Sequence, residues 1–101
     1  MKRLYAMVVT TEIPTPDGTF EFGQTVFVIA ETVHAAIEKA IRAEQFCNID
    51  EDEYDPDIDT LPVVTASDVV QIRPQHVAVM LQYFPIGTTQ EIAELLVSAG
   101  Y

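Results

Sequence analysis

Cationic residues are scarce in this sequence. Five lysines and arginines stand against sixteen aspartates and glutamates, a formal net charge of −11. Phosphate dominates the electrostatics of approach to nucleic acids and anionic membranes, so this balance disfavours direct binding to either. It favours basic surfaces and steers their approach. Cysteine is nearly absent: only Cys47 occurs. A lone thiol makes neither an internal disulfide nor a multi-thiolate metal site, and it fits a reducing compartment. Glycine is limited to four residues, each explained by a turn, bulge or cap rather than by a phosphate-cradling loop. Long apolar runs are missing too. The stretch after Lys2-Arg3 ends at Thr10-Thr11-Glu12, too short for the apolar core of a signal peptide or for a membrane span. It is expected to be a first strand, and the protein to be cytoplasmic.

What is present is a chain of 101 residues, 49% of them apolar, with a mean hydropathy of +0.17. That length suits one domain with a real core. The apolar content excludes a disordered acidic tail, because disorder needs low hydrophobicity as well as high charge. The charge therefore sits on a folded body, and a single α+β domain over residues 1–101 is expected.

Leu4 to Glu12 is rich in strand formers, with apolar residues on both parities. Such a strand is usually covered on both faces. Pro14-Thr15-Pro16-Asp17-Gly18 has the chemistry of a hairpin connection. A return strand is expected over 19–30, with a bulge at Gly23 in prospect. Thr32 suits a helix cap. Beyond it Val33, Ala36, Ile37, Ala40 and Ile41 recur at amphipathic helix spacing. After Leu61-Pro62, residues Val63-Val64 and Val69 to Ile72 predict a third strand. Val77 to Phe84 fits two readings. Val77, Val79, Leu81 and Tyr83 alternate as a strand would, and Val77, Met80, Leu81 and Phe84 fit a helix with Pro74 in its first turn. β-branched content and alternation favour the strand. Thr88 and Glu91 form the sequence signature of a capping box, opening a last helix that Gly100 stops. The expected order is ββαββα, an antiparallel sheet with both helices on one face. The other face would be bare, and homodimerisation through it would cover the first strand.

Between the helix and the third strand lies an acidic loop at about 48–60. Seven of the ten residues from Asp50 to Asp59 are acidic, and no lysine or arginine occurs between Arg42 and Arg73. Charge repulsion, proline and lack of period make it a loop. Alternate carboxylates raise the question of calcium. An EF-hand loop needs acidic residues at positions 1, 3 and 5, glycine at 6 and glutamate at 12. From Asn48 the sixth residue is Glu53 and the twelfth Asp59; from Asp55 they are Thr60 and Ala66. Both registers lack the glycine, so no metal and no cofactor is expected, with weak calcium binding as a further alternative. Catalysis has little to stand on: His34 and His76 lie in no recognisable signature, and the chain is expected not to be an enzyme.

The loop can be compared with DNA. Ten extended residues span roughly 33 Å, which gives about 4.7 Å per charge, against about 3.4 Å per phosphate along one DNA strand. Glu44 and Asp68 add to the row. Such a surface could occupy a Lys/Arg groove made for nucleic acid. Small phage-encoded inhibitors of restriction or CRISPR machinery are similar in size and charge, a likeness of type that covers no alignable segment. The expectation is a DNA-mimicking inhibitor of a basic, nucleic-acid-handling protein. It would bind through Asp50, Glu51, Asp52, Glu53, Tyr54, Asp55, Asp57, Ile58 and Asp59, with Tyr54 and Ile58 as apolar anchors. The alternative is an accessory homo-oligomeric subunit whose acidic loop serves solubility alone.

Overall fold

The structure is a computed structural model that describes residues 1–47, 49–58 and 60–101. Two long strands, β1 (Arg3–Thr15) and β2 (Gly18–Ala30), are joined by a two-residue loop. Their thirteen antiparallel pairs run unbroken from Arg3↔Ala30 to Thr15↔Gly18. Gly23 pairs regularly with Thr10, so the expected bulge is not there. It lies instead in β3 (Val63–Gln71), where the register shifts between Ala6 and Val8. Asp68 takes a φ of 53° at that point, a left-handed conformation that aspartate tolerates. The sheet order is β2-β1-β3, so the strand apolar on both parities is the central one.

Helix α1 (Val33–Gln45) begins at Thr32, whose hydroxyl accepts from the Ala35 N–H at 3.1 Å. The helix lies on one sheet face. Ala36 and Ala40 pack there with Tyr5, Met7, Val9, Val28 and Val64. Two alanines at the contact let helix and sheet approach closely, which suits the large Tyr5 and Met7 beneath.

The chain after β3 corrects two expectations. Residues 74–83 form a helix, α2 (Pro74–Tyr83), not a fourth strand, and α3 (Thr89–Ser98) closes the chain. The described order is thus ββαβαα around a three-stranded sheet. Pro74 sits in the first helical turn, where its missing N–H costs nothing and its fixed φ suits the helix. Burial then obeys helical spacing: Val77 is buried and Met80 and Leu81 pack beside it, while Val79 and Tyr83 stay exposed. The second correction concerns the faces. α2 and α3 do not join α1. They build a second core with Leu4 and Ile29, which point away from the first. Leu4, Ile29, Val77, Ile86 and Leu95 form its buried centre. The chain itself thus covers both faces at the base of the sheet, with no need of a homodimer there.

The turn into α3 is tightly specified. Gly87 has a φ of 67°, and a Cβ there would lie 2.8 Å from Ile29 Cδ1, so both conformation and space call for glycine. The capping box is complete: Thr88 Oγ1 accepts from the Glu91 N–H at 3.2 Å, and Glu91 Oε1 accepts from the Thr88 N–H at 3.0 Å. Among the described residues no helix is long and apolar enough to cross a membrane.

Candidate interaction site: the acidic segment

The acidic residues after α1 are folded, not extended. Asp50 caps a single 3-10 turn, Glu51–Glu53, by accepting from the Asp52 N–H at 3.0 Å. Asp55 repeats the device on the Asp57 N–H at 3.0 Å, and its carbonyl accepts from the Ile58 N–H at 3.1 Å. Aspartate suits both positions because its short side chain reaches the backbone two residues on. The straight row of charges expected from an extended chain is therefore replaced by a folded cluster. Asp59 lies outside the described residues.

Two contacts fix the cluster to α1, and neither was anticipated. Arg42 donates from Nε to Glu51 Oε1 at 3.0 Å and from Nη2 to Glu51 Oε2 at 2.8 Å. This forked pair holds the Glu51 carboxyl below the usual glutamate range and raises the Arg42 guanidinium. The Phe46 ring meets Tyr54 edge to face, with centroids 5.5 Å apart, and carries Arg42 over its face at 5.5 Å. Tyr54 thus anchors the segment internally. Of the two apolar anchors proposed for a partner, Ile58 is the more open, at 80% exposed, and Tyr54 is partly covered by Phe46. The sequence signal for the seat was thin: Arg42 and Phe46 four residues apart on one side of a helix, with nothing to show which later residues would land there.

The remaining acidic groups face solvent. Asp50, Asp52, Glu53 and Asp57 are exposed, and none has a cation within ion-pair distance among the described residues. Glu44, counted with this row from sequence, turns inward instead. It accepts from Gln24 Nε2 at 2.9 Å and Thr11 Oγ1 at 3.4 Å, tying α1 to the sheet. Asp68 belongs to the β3 bulge, apart from the segment.

Among the described residues no nucleophile–base pair is assembled around the histidines. His34 is exposed and meets Glu38 at 3.1 Å, and His76 is exposed in the first turn of α2. Among the described residues no three His, Cys, Asp or Glu side chains converge to hold a metal. One feature was missed from sequence. Ile13, Phe20 and Phe22 are 45%, 57% and 47% exposed on the α1 face of the hairpin end, and Val63, paired with Glu12 on the opposite face, is 58% exposed. A cleft of about 390 Å³ runs there between Ile13-Pro14 and Leu61-Pro62-Val63. No family model, curated protein or solved structure matches the chain.

Proposed function

We propose that this chain is a non-enzymatic cytoplasmic binding protein that engages a basic, nucleic-acid-handling protein through its acidic segment and inhibits it. The observation that carries this reading is the folded display of Asp50, Asp52, Glu53 and Asp57, exposed together on a segment seated on α1 by Arg42 and Phe46. A pre-ordered segment gives up less conformational freedom on binding than a mobile one. Lys/Arg grooves made for phosphate would meet concentrated negative charge there, and displacement of their counterions adds to the affinity. Because the segment is compact, the likeness to DNA is one of concentrated negative charge rather than of spacing along a strand. Ile58 is the apolar contact within the patch.

The test is capture of partners from the native host at low and high salt, with wild type and with a variant in which Asp50, Asp52 and Asp57 become Asn and Glu53 becomes Gln. A basic protein should be captured by wild type, released by salt and missed by the variant. Affinity unchanged after neutralisation would end this reading. The second reading, an accessory homo-oligomeric subunit with an acidic segment for solubility, gains support from Ile13, Phe20 and Phe22, exposed on one face of the hairpin end, since contiguous exposed apolar groups mark interaction surfaces.

A further inference from the structure

The two edges of the sheet are unlike. β3 is interrupted by the bulge at Asp68, a device that blunts an edge against pairing. β2 runs thirteen residues without a bulge, a proline or a lysine, and carries one charge, Glu21. Two bonds show which of its backbone groups face outward. The Leu4 carbonyl accepts from the Ile72 N–H at 2.8 Å, so even residues of β1 pair toward β3 and odd ones toward β2. Tyr5↔Val28 register then turns even residues of β2 toward β1 and odd ones outward. Agreement comes from Lys39, whose Nζ donates to the Ile29 carbonyl at 3.0 Å from outside the sheet. With the Ile29 carbonyl taken by Lys39, the outward residues with both backbone groups open are Thr19, Glu21, Gly23, Thr25 and Phe27.

That set is symmetric about Gly23. We infer that β2 pairs antiparallel with β2 of a second copy, about a two-fold axis at Gly23, to make one six-stranded sheet. The register places Thr19 opposite Phe27, Glu21 opposite Thr25 and Gly23 opposite Gly23, so the outward groups of all five residues are paired and the two Glu21 carboxylates are kept from facing each other. On the α1 face it sets the exposed Phe20 opposite Val26, and Phe22 opposite Gln24. Gly23 itself is otherwise unexplained: its backbone is ordinary for a strand, and an added Cβ would make only an ordinary 3.7 Å contact with Thr10 Oγ1. A strand glycine of this kind suits close approach of another backbone. An edge with a single charge offers little to select a charged peptide, which favours a second copy as the occupant. The inference does not depend on the acidic segment.

Sedimentation of the full chain over a range of concentrations tests it, alongside Thr25→Pro and, separately, Phe20→Lys. Thr25→Pro deletes an outward N–H without touching the β1–β2 ladder, and Phe20→Lys changes an exposed side chain. Wild type should reach twice the 11.2 kDa chain mass, and both variants should remain monomers with an unchanged circular dichroism spectrum. In the wild-type dimer the amides of Thr19, Glu21, Gly23, Thr25 and Phe27 should exchange slowly, and on dilution they should become fast while those of Gln24 and Val26 stay protected. A wild-type monomer at every concentration, a dimer that survives both substitutions, or a monomer whose edge takes up an extended peptide would each overturn the inference.

Discussion

The base of the sheet and its hairpin end are made of the same two strands, yet they have opposite fates. At the base, Leu4, Tyr5, Met7, Val28 and Ile29 are buried, with α1 on one face and α2 and α3 on the other. From Ile13 to Thr25 every residue is exposed, including Phe20 and Phe22. Strand-forming residues therefore do not make a core by themselves; the helices decide which part of a long hairpin becomes one. The hairpin end holds its shape through the ladder and carries its apolar groups outward, where they are available to a second chain.

The largest effect that separates the two regions is truncation of an apolar side chain in each. Leu4→Ala removes a side chain that is 1% exposed from the middle of the second core. A cost of about 2–5 kcal/mol is expected. Phe20→Ala removes a larger group from a 57% exposed site, and an effect within about 0.5 kcal/mol is expected for a surface position. Denaturant unfolding at concentrations where the chain is monomeric measures both. Equal costs would mean that the hairpin end is packed within the monomer after all. At dimer concentrations the Phe20 cost should rise, since the inferred pairing covers it.

The same contrast shows what was legible in the sequence. Both parities of β1 predict cover on both faces, and the base of the sheet has it. The agent of that cover was harder to read, because Val77–Phe84 supports two periods at once. Three β-branched or aromatic residues at alternate positions outweigh Pro74 in a propensity reading, whereas in the fold the second face of β1 needs a helix to fill it, and tertiary packing overrides propensity. Local signals are dependable where a side chain acts on its own neighbours: Thr32, Thr88 with Glu91, and the hairpin turn within residues 14–18, although the strands pair closer to it than the two prolines suggest. They fail where distant residues meet. Nothing near Tyr54 says that Phe46 will hold it, and nothing near Gly23 says that the bulge will fall at Asp68 instead. The acidic segment was legible as charge and as a loop, but not as a folded one.

The base also contains one imperfection, which gives a smaller effect of opposite sign. The Tyr5 hydroxyl is buried without a hydrogen-bond partner among the described residues. A buried group that has left water without compensation is destabilising. Tyr5→Phe should therefore stabilise the chain by about 1 kcal/mol, which corresponds to a rise in Tm of about 4–8 °C for a domain of this size. Calorimetry decides it. A loss of stability would show that the hydroxyl has a role in the base that its surroundings do not reveal.

The smallest effect compares an ion pair from each region. Lys39 and the Thr88 N–H hold the Glu91 carboxyl below its usual range at the base, and Arg42 does the same to Glu51 in the acidic segment. A carboxyl depressed in the folded state stabilises at pH values above its unfolded pKa, about 4.3 for glutamate, and loses that contribution as pH falls through the folded value. Wild type and Glu91→Gln should thus differ most near neutral pH and converge in acid. Glu91 is the less exposed of the two, at 20% against 44% for Glu51, and its carboxylate also completes the cap of α3. Its variant should show the larger Tm difference. The more exposed pair of Glu51 with Arg42 is screened by solvent and contributes little. The Tm of Glu51→Gln should accordingly track that of wild type closely from neutral pH downward. If Glu51→Gln instead diverged from wild type as widely as Glu91→Gln, the Arg42 fork would be a structural tie as firm as those of the base.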